Sequence, residues 1–347
     1  MSESDHGRAT LGVHLPVAAQ PSLDGLVDVA LRAEERGYER VWMPETWGRD
    51  AVTALAVMAE RTDEVGLGSS LFNVYSRSPT LVGQTAVTLQ EASEGRFRVG
   101  VGPSGPAVVE RWHGVDFDRP LRRTREYVEI LRRVFSGETV RYRGDCFELD
   151  GFRLRCGPPE TPPPVDVGGM GPKAVELAGR FADGWHALMC SPDGLRTRLA
   201  DLERGASLGD RSVDEVHTTL VLPCAVSGGD DDEGGEGRAC GLVTQHVAFY
   251  VGGMGTFYRD ALDRQGYPAT RAHEAWQNGD REEALAVVEG FVDDLAVSGT
   301  PAEAREALTR FRGIDGLDEV AIAFPRGATD GDVAATVAGL APERGGD

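Results

Sequence analysis

The chain has 347 residues, enough for one barrel-sized domain or two smaller ones. Its 56 acidic and 36 basic residues give a formal net charge of −20, which argues against nucleic acid and anionic membrane surfaces as partners. No apolar run approaches the ~18 residues of a membrane span, and the polar, acidic start Met1–His6 is unlike a secretory leader, so a cytoplasmic protein is expected.

The five cysteines (Cys146, Cys156, Cys190, Cys224, Cys240) are scattered and none forms a CxxC pair, so neither a disulfide framework nor a zinc site is indicated and no metal is expected.

Strand-like apolar runs alternate with amphipathic stretches. Thr10–Leu15 reads as the first strand, followed by a helix from about Leu23 to Arg36 in which Leu26, Val29, Ala30 and Ala33 recur at helical spacing and Gly37 ends the run. Arg40–Met43 is the second strand, with a helix near Ala51–Arg61; Val65–Leu71 is the third, with a helix from Thr80 to Ala92; Arg96–Val101 is the fourth. The pattern then loosens. A helix over Arg119–Val134 precedes short strands in Thr139–Arg155, with turns at Gly144-Asp145 and Asp150-Gly151, and a proline-rich connector, Pro158–Pro164. Alternation resumes with Val165–Val167 and a helix over Lys173–Ala182, then Gly184–Met189 with a helix near Gly194–Arg204, then Val216–Val226 as the seventh strand. Residues 228–237 read as a solvated, mobile acidic loop, and 240–296 as a helical insertion with no strand of its own. A helix near Pro301–Phe311, the eighth strand Glu319–Phe324 and a helix over Asp330–Leu340 complete the chain.

Eight strands alternating with helices, with no composition break between them, predict an α/β fold: a single (β/α)8 TIM-type barrel over residues 8–341, with insertions after strands four and seven. A doubly wound open sheet is the alternative. In a barrel the functional residues lie at the C-terminal ends of the strands. That rule selects His14 after strand one, Glu45 to Asp50 after strand two, Ser69 to Pro79 after strand three, Gly100 to Pro106 after strand four, and Arg326 after strand eight.

After strand five comes Gly168-Gly169-Met170-Gly171-Pro172-Lys173, a glycine-rich turn into a helix that carries the only lysine of the chain. Backbone N–H groups are unpaired at such a helix start and the dipole favours an anion there, so the turn reads as a phosphate cradle or as an ordinary strand-to-helix turn. The remaining strand ends offer little chemistry of their own. There is no HExxH pattern, no G-x-S-x-G elbow and no carboxylate pair at neighbouring strand ends. A cradle, apolar walls and few reactive side chains suit a cofactor that carries the chemistry itself.

Five segments in order carry a resemblance. They are Arg40–Ala51, Leu67–Pro79, Glu91–Gly102, Arg111–Gly114 with Pro120–Tyr127, and Gly168–Lys173 with Glu176–Gly184. Together they resemble the luciferase-like monooxygenase superfamily and, within it, the oxidoreductases that use the deazaflavin coenzyme F420. The segment Asn73–Pro79 resembles the methylenetetrahydromethanopterin reductases, whose substrate is not carried over. The resemblance implies a TIM-type barrel that binds F420, or FMN as the alternative, at the C-terminal mouth and acts on a small-molecule substrate. It also implies a non-prolyl cis peptide at Ser70–Leu71, behind the coenzyme ring, from which hydride passes to or from C5. A homo-oligomer is expected. An FMN-dependent monooxygenase and a non-catalytic F420-binding barrel are the competing functions.

The contacts carried over residue by residue are Glu45 at the ring edge, Ser70, Leu71 and Asn73 at the pyrimidine side, Gly102 and Ser104 after strand four, and Gly168, Gly169, Met170, Gly171 and Lys173 at the phosphate end. Many relatives have an Asp-His pair where this chain has Glu45-Thr46, so an imidazole acid is not expected there. Glu45 and His14 are the candidate catalytic groups. His186 reads as core or barrel lining, Trp42 and Trp47 as packing or ring stacking, and Arg77 and Arg326 as contacts to an acidic tail or to surface acids. The near-absence of lysine with excess Asp and Glu resembles proteins of salt-accumulating archaea, and predicts a fold whose self-repulsion needs salt screening.

Overall fold

The computed structural model describes residues 8–228 and 235–343. β1 (Thr10–His14) leads into α1 (Leu23–Glu35), whose N-cap Ser22 accepts the Gly25 N–H at 3.0 Å and so satisfies one of the donors left open at a helix start. Gly37, at φ 81°, makes the left-handed turn that releases the chain into β2 (Arg40–Met43). Asp50 caps α2 (Ala51–Arg61) by accepting from Thr53 N at 2.7 Å. The third strand is not continuous. β3 (Gly66–Ser69) stops, and β4 (Phe72–Asn73) takes up pairing with the next strand two residues later.

α3 (Pro79–Ala92) and β5 (Phe97–Gly102) follow, then a short helix that the sequence reading did not include, α4 (Pro106–Arg111), opened by Gly105 and a proline. α5 (Pro120–Phe135) precedes a hairpin of β6 (Val140–Arg143) and β7 (Glu148–Phe152). The turn expected at Asp150-Gly151 is not a turn. Val140 faces Phe152 and Arg141 faces Asp150, so Gly151, at φ 105°, is the extra residue of a bulge inside β7. The turn at Gly144-Asp145 is real, and α5 pins it: buried Glu126 accepts the N–H groups of Asp145, Cys146 and Phe147 at 2.8, 2.9 and 3.1 Å.

β8 (Val165–Gly168), α6 (Pro172–Phe181), β9 (Gly184–Leu188), α7 (Pro192–Leu208) and β10 (His217–Val226) restore the alternation. Of the expected acidic loop, residues 229–234 lie outside the described residues, and Gly235 already opens a helix. The next segment is helical, as expected: α8 (Gly235–Gly253), α9 (Thr256–Asp263), α10 (Ala269–Gln277) and α11 (Arg281–Glu289). They pack into one core with Met189, after β9, and Ala225 of β10, a core that includes Val243, Val247, Val251, Leu262, Val288 and Leu295. A short strand, β11 (Val297–Gly299), follows and pairs in parallel with β10. The chain ends with α12 (Pro301–Arg312), β12 (Glu319–Ala323) and α13 (Asp330–Gly339), both helices opened by capping boxes at Thr300 and Thr329.

β1, β2, β3, β5, β8, β9, β10 and β12 are the eight parallel strands of a (β/α)8 barrel. By contacts the chain forms two compact units. One comprises residues 1–41, 187–197 and 218–347, the other 42–186 and 198–217. In the first, β12 lies between β1 and β10, with His14 level with Ala323 and Leu222 with Ile322. In the second, β5 is central. Phe72 of β4 stands beside Val101, Gly100 beside Asp166 of β8, and Gly168 beside His186 of β9. β3, β8 and β12 are buried along their whole length, as parallel strands covered on both faces must be. Among the described residues no helix is long and apolar enough to cross a membrane.

Candidate functional site

The break between β3 and β4 contains one non-prolyl cis peptide, at Ser70–Leu71, the bond the resemblance implied. Its neighbours are tied down on both sides. The Ser69 hydroxyl donates to Gly100 O and accepts from Gly100 N, both at 2.9 Å, and Ser70 N donates to Met43 O at 2.9 Å. The Leu71 side chain fills space that side chains on β5 and β8 would take. A Cβ on Gly100 would stand 2.8 Å from Leu71 Cδ2, one on Gly102 2.7 Å from Cδ1, and one on Gly168 would overlap Cδ1 outright. Gly102 and Gly168 are therefore needed as the seat of Leu71, a packing reason the sequence reading did not supply.

Behind Ser70 runs a buried polar chain. Ser70 Oγ is 3.0 Å from His186 Nδ1, and His186 Nε2 is 3.3 Å from Asp166 Oδ2. Arg98 grips the same carboxylate with two bonds, Nε to Oδ2 at 3.0 Å and Nη2 to Oδ1 at 2.6 Å. Burial opposes ionisation of Asp166, but the Arg98 guanidinium and the His186 bond outweigh it and hold the carboxyl well below the usual carboxylate range. The edge of Trp42, itself fully buried, meets the His186 ring at a centroid distance of 4.4 Å, so Trp42 packs rather than lining open space. His186 is buried, as expected; its link to Ser70 was not foreseen. One signal was available. Arg98 and Asp166 are opposite charges in the middle of consecutive apolar barrel strands, where a charge persists only when paired.

Asn73 is 3% exposed. Its Oδ1 accepts Tyr75 N at 2.9 Å, while its Nδ2 has no acceptor among the described residues. A buried donor without a partner costs about 1–3 kcal/mol, which a bound acceptor would recover. Glu45 is not a lone carboxylate. Its Oε1 accepts Arg77 Nη2 at 2.5 Å and Ala51 N at 3.3 Å, and Arg77 also bonds Asp50 at 2.5 Å. Burial works against the Arg77 charge, yet the two carboxylates raise its pKa. Arg77 thus pairs with two acids.

At the turn after β8, Gly171 is the N-cap of α6 and no side chain caps it, with Pro172 in the first turn. Gly169 and Met170 are half-buried, and Gly169 O accepts Trp185 Nε1 at 2.9 Å. Lys173 does not reach over this turn. It is exposed and donates to Glu176 at 2.7 Å, one helical turn along, where Arg204 also bonds at 3.0 Å. Ser104, at φ 58°, is exposed after β5, and Trp47 is likewise exposed.

His14 lies in the other unit, half-buried at the end of β1. There His246 of α8, which the sequence reading missed, accepts Arg326 N at 3.0 Å through Nδ1 and packs against Tyr250 at a centroid distance of 4.7 Å. Burial, with His14 and Arg326 adding positive charge, pushes its pKa down to about 4. Arg326 lies over the Phe249 ring at 4.3 Å.

Ser70, Leu71, Asn73, Gly102 and Gly168 thus come together at the ends of β3, β4, β5 and β8, where they offer a seated apolar side chain, an oriented hydroxyl and a buried amide donor. That set can hold a flat heterocycle by its edge. Among the described residues no cluster of His, Cys, Asp and Glu suits a metal ion.

A profile of the family described as luciferase-like monooxygenase matches residues 7–316. A Mycobacterium tuberculosis protein described as a coenzyme F420-dependent oxidoreductase is 32% identical over 78% of this chain and 83% of its own length. The 5,10-methylenetetrahydromethanopterin reductase of Archaeoglobus fulgidus is 29% identical over 80% of this chain and 82% of its own. The structure of the F420-dependent tetrahydromethanopterin reductase from Methanopyrus kandleri superposes with a TM-score of 0.80 at 21% identity, covering 96% of this chain and 98% of that one, a likeness of fold.

Proposed function

Because the chain belongs to the luciferase-like monooxygenase family, we propose that it is an oxidoreductase that works with coenzyme F420 on a small organic substrate. The observation that carries the reading is the buried Asn73 Nδ2 donor, which has no acceptor among the described residues, two residues beyond a hydroxyl and a leucine already fixed at Ser70–Leu71. A deazaflavin ring edge has the carbonyl and N–H groups such a set can bond. When bound, F420 supplies the hydride donor or acceptor at C5 of its ring.

The residues divide the remaining work. Leu71, seated by Gly100, Gly102 and Gly168, supports the ring face, while Ser70 and Asn73 fix its pyrimidine edge. Gly169, Met170 and Gly171, at the uncapped start of α6, take the phosphate with backbone N–H groups, and Ser104 closes the neighbouring strand end. Lys173 contributes to the potential but is engaged by Glu176. Glu45 serves as the salt-bridge partner of Arg77 at that rim. His14, at the end of β1 in the other unit, is the second candidate catalytic group, an imidazole of the type that exchanges protons near neutral pH. Residues 8–341 act as one domain in this reading, as a cytoplasmic homo-oligomer whose acidic surface suits concentrated salt.

The test is turnover with both coenzymes. Under the proposal, reduced F420 is reoxidised without oxygen by some member of a panel of small carbonyl, imine and unsaturated compounds. A tight FMN complex that consumes oxygen contradicts it, and F420 binding with no turnover across the panel points to a binding protein.

A further inference from the structure

The chain Arg98–Asp166–His186–Ser70 links three neighbouring barrel strands, β5, β8 and β9, to the break after β3, and the direction of its hydrogen bonds is set at the buried end. Asp166 is 0% exposed, with Arg98 bonded to both carboxylate oxygens. An ionised carboxylate only accepts, so His186 Nε2, 3.3 Å from Oδ2, carries the hydrogen. In the neutral imidazole the one N–H then sits on Nε2, which leaves Nδ1 as an acceptor. The partner of Nδ1 at 3.0 Å is Ser70 Oγ, and Ser70 therefore donates. The serine proton points into the chain, and what Oγ offers a ligand is its lone pairs. A serine without such a relay can rotate and either donate or accept.

We propose that Arg98, Asp166 and His186 are positioning residues that fix Ser70 Oγ as a hydrogen-bond acceptor, so that the site selects a ligand with a ring N–H at that place over one with a carbonyl. The imide N–H of a flavin or deazaflavin ring is such a donor. The inference rests on the F420 reading for where the ring lies, while the polarity of Ser70 follows from the protein alone. Asn73 Nδ2 has the opposite polarity, a donor for the ring carbonyl beside that N–H.

Two measurements test it. In protein labelled with nitrogen-15 at histidine, His186 shows the Nε2-protonated neutral tautomer at neutral pH; protonation at Nδ1, or at both nitrogens, overturns the proposal. F420 is then titrated into wild type, Ser70→Ala, Asp166→Asn and the double variant. An asparagine amide can donate to Nε2, reverse the ring's polarity and turn Ser70 into a donor. Each single variant is expected to lose roughly tenfold in affinity, the double variant no more than either, and Ser70→Thr to keep most of it. Losses that multiply in the double variant, or wild-type affinity in Asp166→Asn, overturn the relay. If wild type does not bind F420, the coenzyme reading fails by itself, and FMN, which carries the same imide N–H, replaces it in the same titrations. The nitrogen spectrum decides the polarity of Ser70 in either case, whether or not Asp166→Asn folds.

Discussion

Lys173 Nζ donates to Glu176 Oε2 at 2.7 Å on the exposed flank of α6, turned along the helix and away from the glycine turn that precedes it. An exposed pair one turn apart contributes about 0.2–0.5 kcal/mol, so the lysine is neither a strong structural element nor aimed at the cradle. Lys173→Ala is expected to change F420 affinity by less than about threefold, a difference below ~0.7 kcal/mol, as read by quenching of deazaflavin fluorescence. A loss of a hundredfold would return the lysine to the phosphate site.

Gly168 has the opposite character. A methyl group there overlaps Leu71 Cδ1, and Leu71 is hemmed in by Gly100 and Gly102 as well. Gly168→Ala is expected to cost about 1–3 kcal/mol of stability, as overpacking does, and to weaken F420 binding because Leu71 must move. An unchanged melting temperature together with unchanged affinity would show that Leu71 has room the structure does not indicate.

His246 gives a pH signature. Its pKa falls to about 4 in the folded chain, against an ordinary histidine value of about 6.5. The unfolded chain therefore binds a proton in this window that the folded one refuses. The stabilisation is complete above about pH 6.5 and is lost as pH falls toward about 4. His246→Asn, which can still accept the Arg326 N–H, is expected to flatten the pH dependence of the unfolding free energy between those values. An identical slope in wild type and variant would contradict the assignment.

The net charge of −20, with 56 acidic residues, predicts that self-repulsion is relieved by salt. The melting temperature is expected to rise from roughly 0.1 M to several molar KCl, where the Debye length shrinks below ~10 Å. No change across that range would remove the halophilic reading.

The barrel strands were legible because each buried strand is a short apolar run between helices of regular spacing; Arg40–Met43 and the helix Ala51–Arg61 appear as expected. Val65–Leu71 was read one element too long, since nothing in the period of that run marks where pairing stops after Ser69. Gly151 was read as a turn because a bulge and a turn use the same left-handed glycine. β11 has three residues, too few for any pattern. In the site, Ser70 and Leu71 came from the resemblance. His186, Asp166 and Arg98 are far apart in sequence, and only the register of β5, β8 and β9 brings them together. The pairing of Glu45 with Arg77 was hidden for the same reason, 32 residues separating them.

Whether the strand ends around Ser70–Leu71 hold a deazaflavin ring is decided by titrating purified wild-type protein and Asn73→Leu with F420. Asn73→Leu removes the buried amide donor that has no acceptor among the described residues. Saturable quenching by one F420 per chain is expected in wild type, and an affinity lower by roughly tenfold in the variant, as for one lost hydrogen bond. Absence of F420 binding by wild type, or equal affinity in the two proteins, would contradict that placement of the ring.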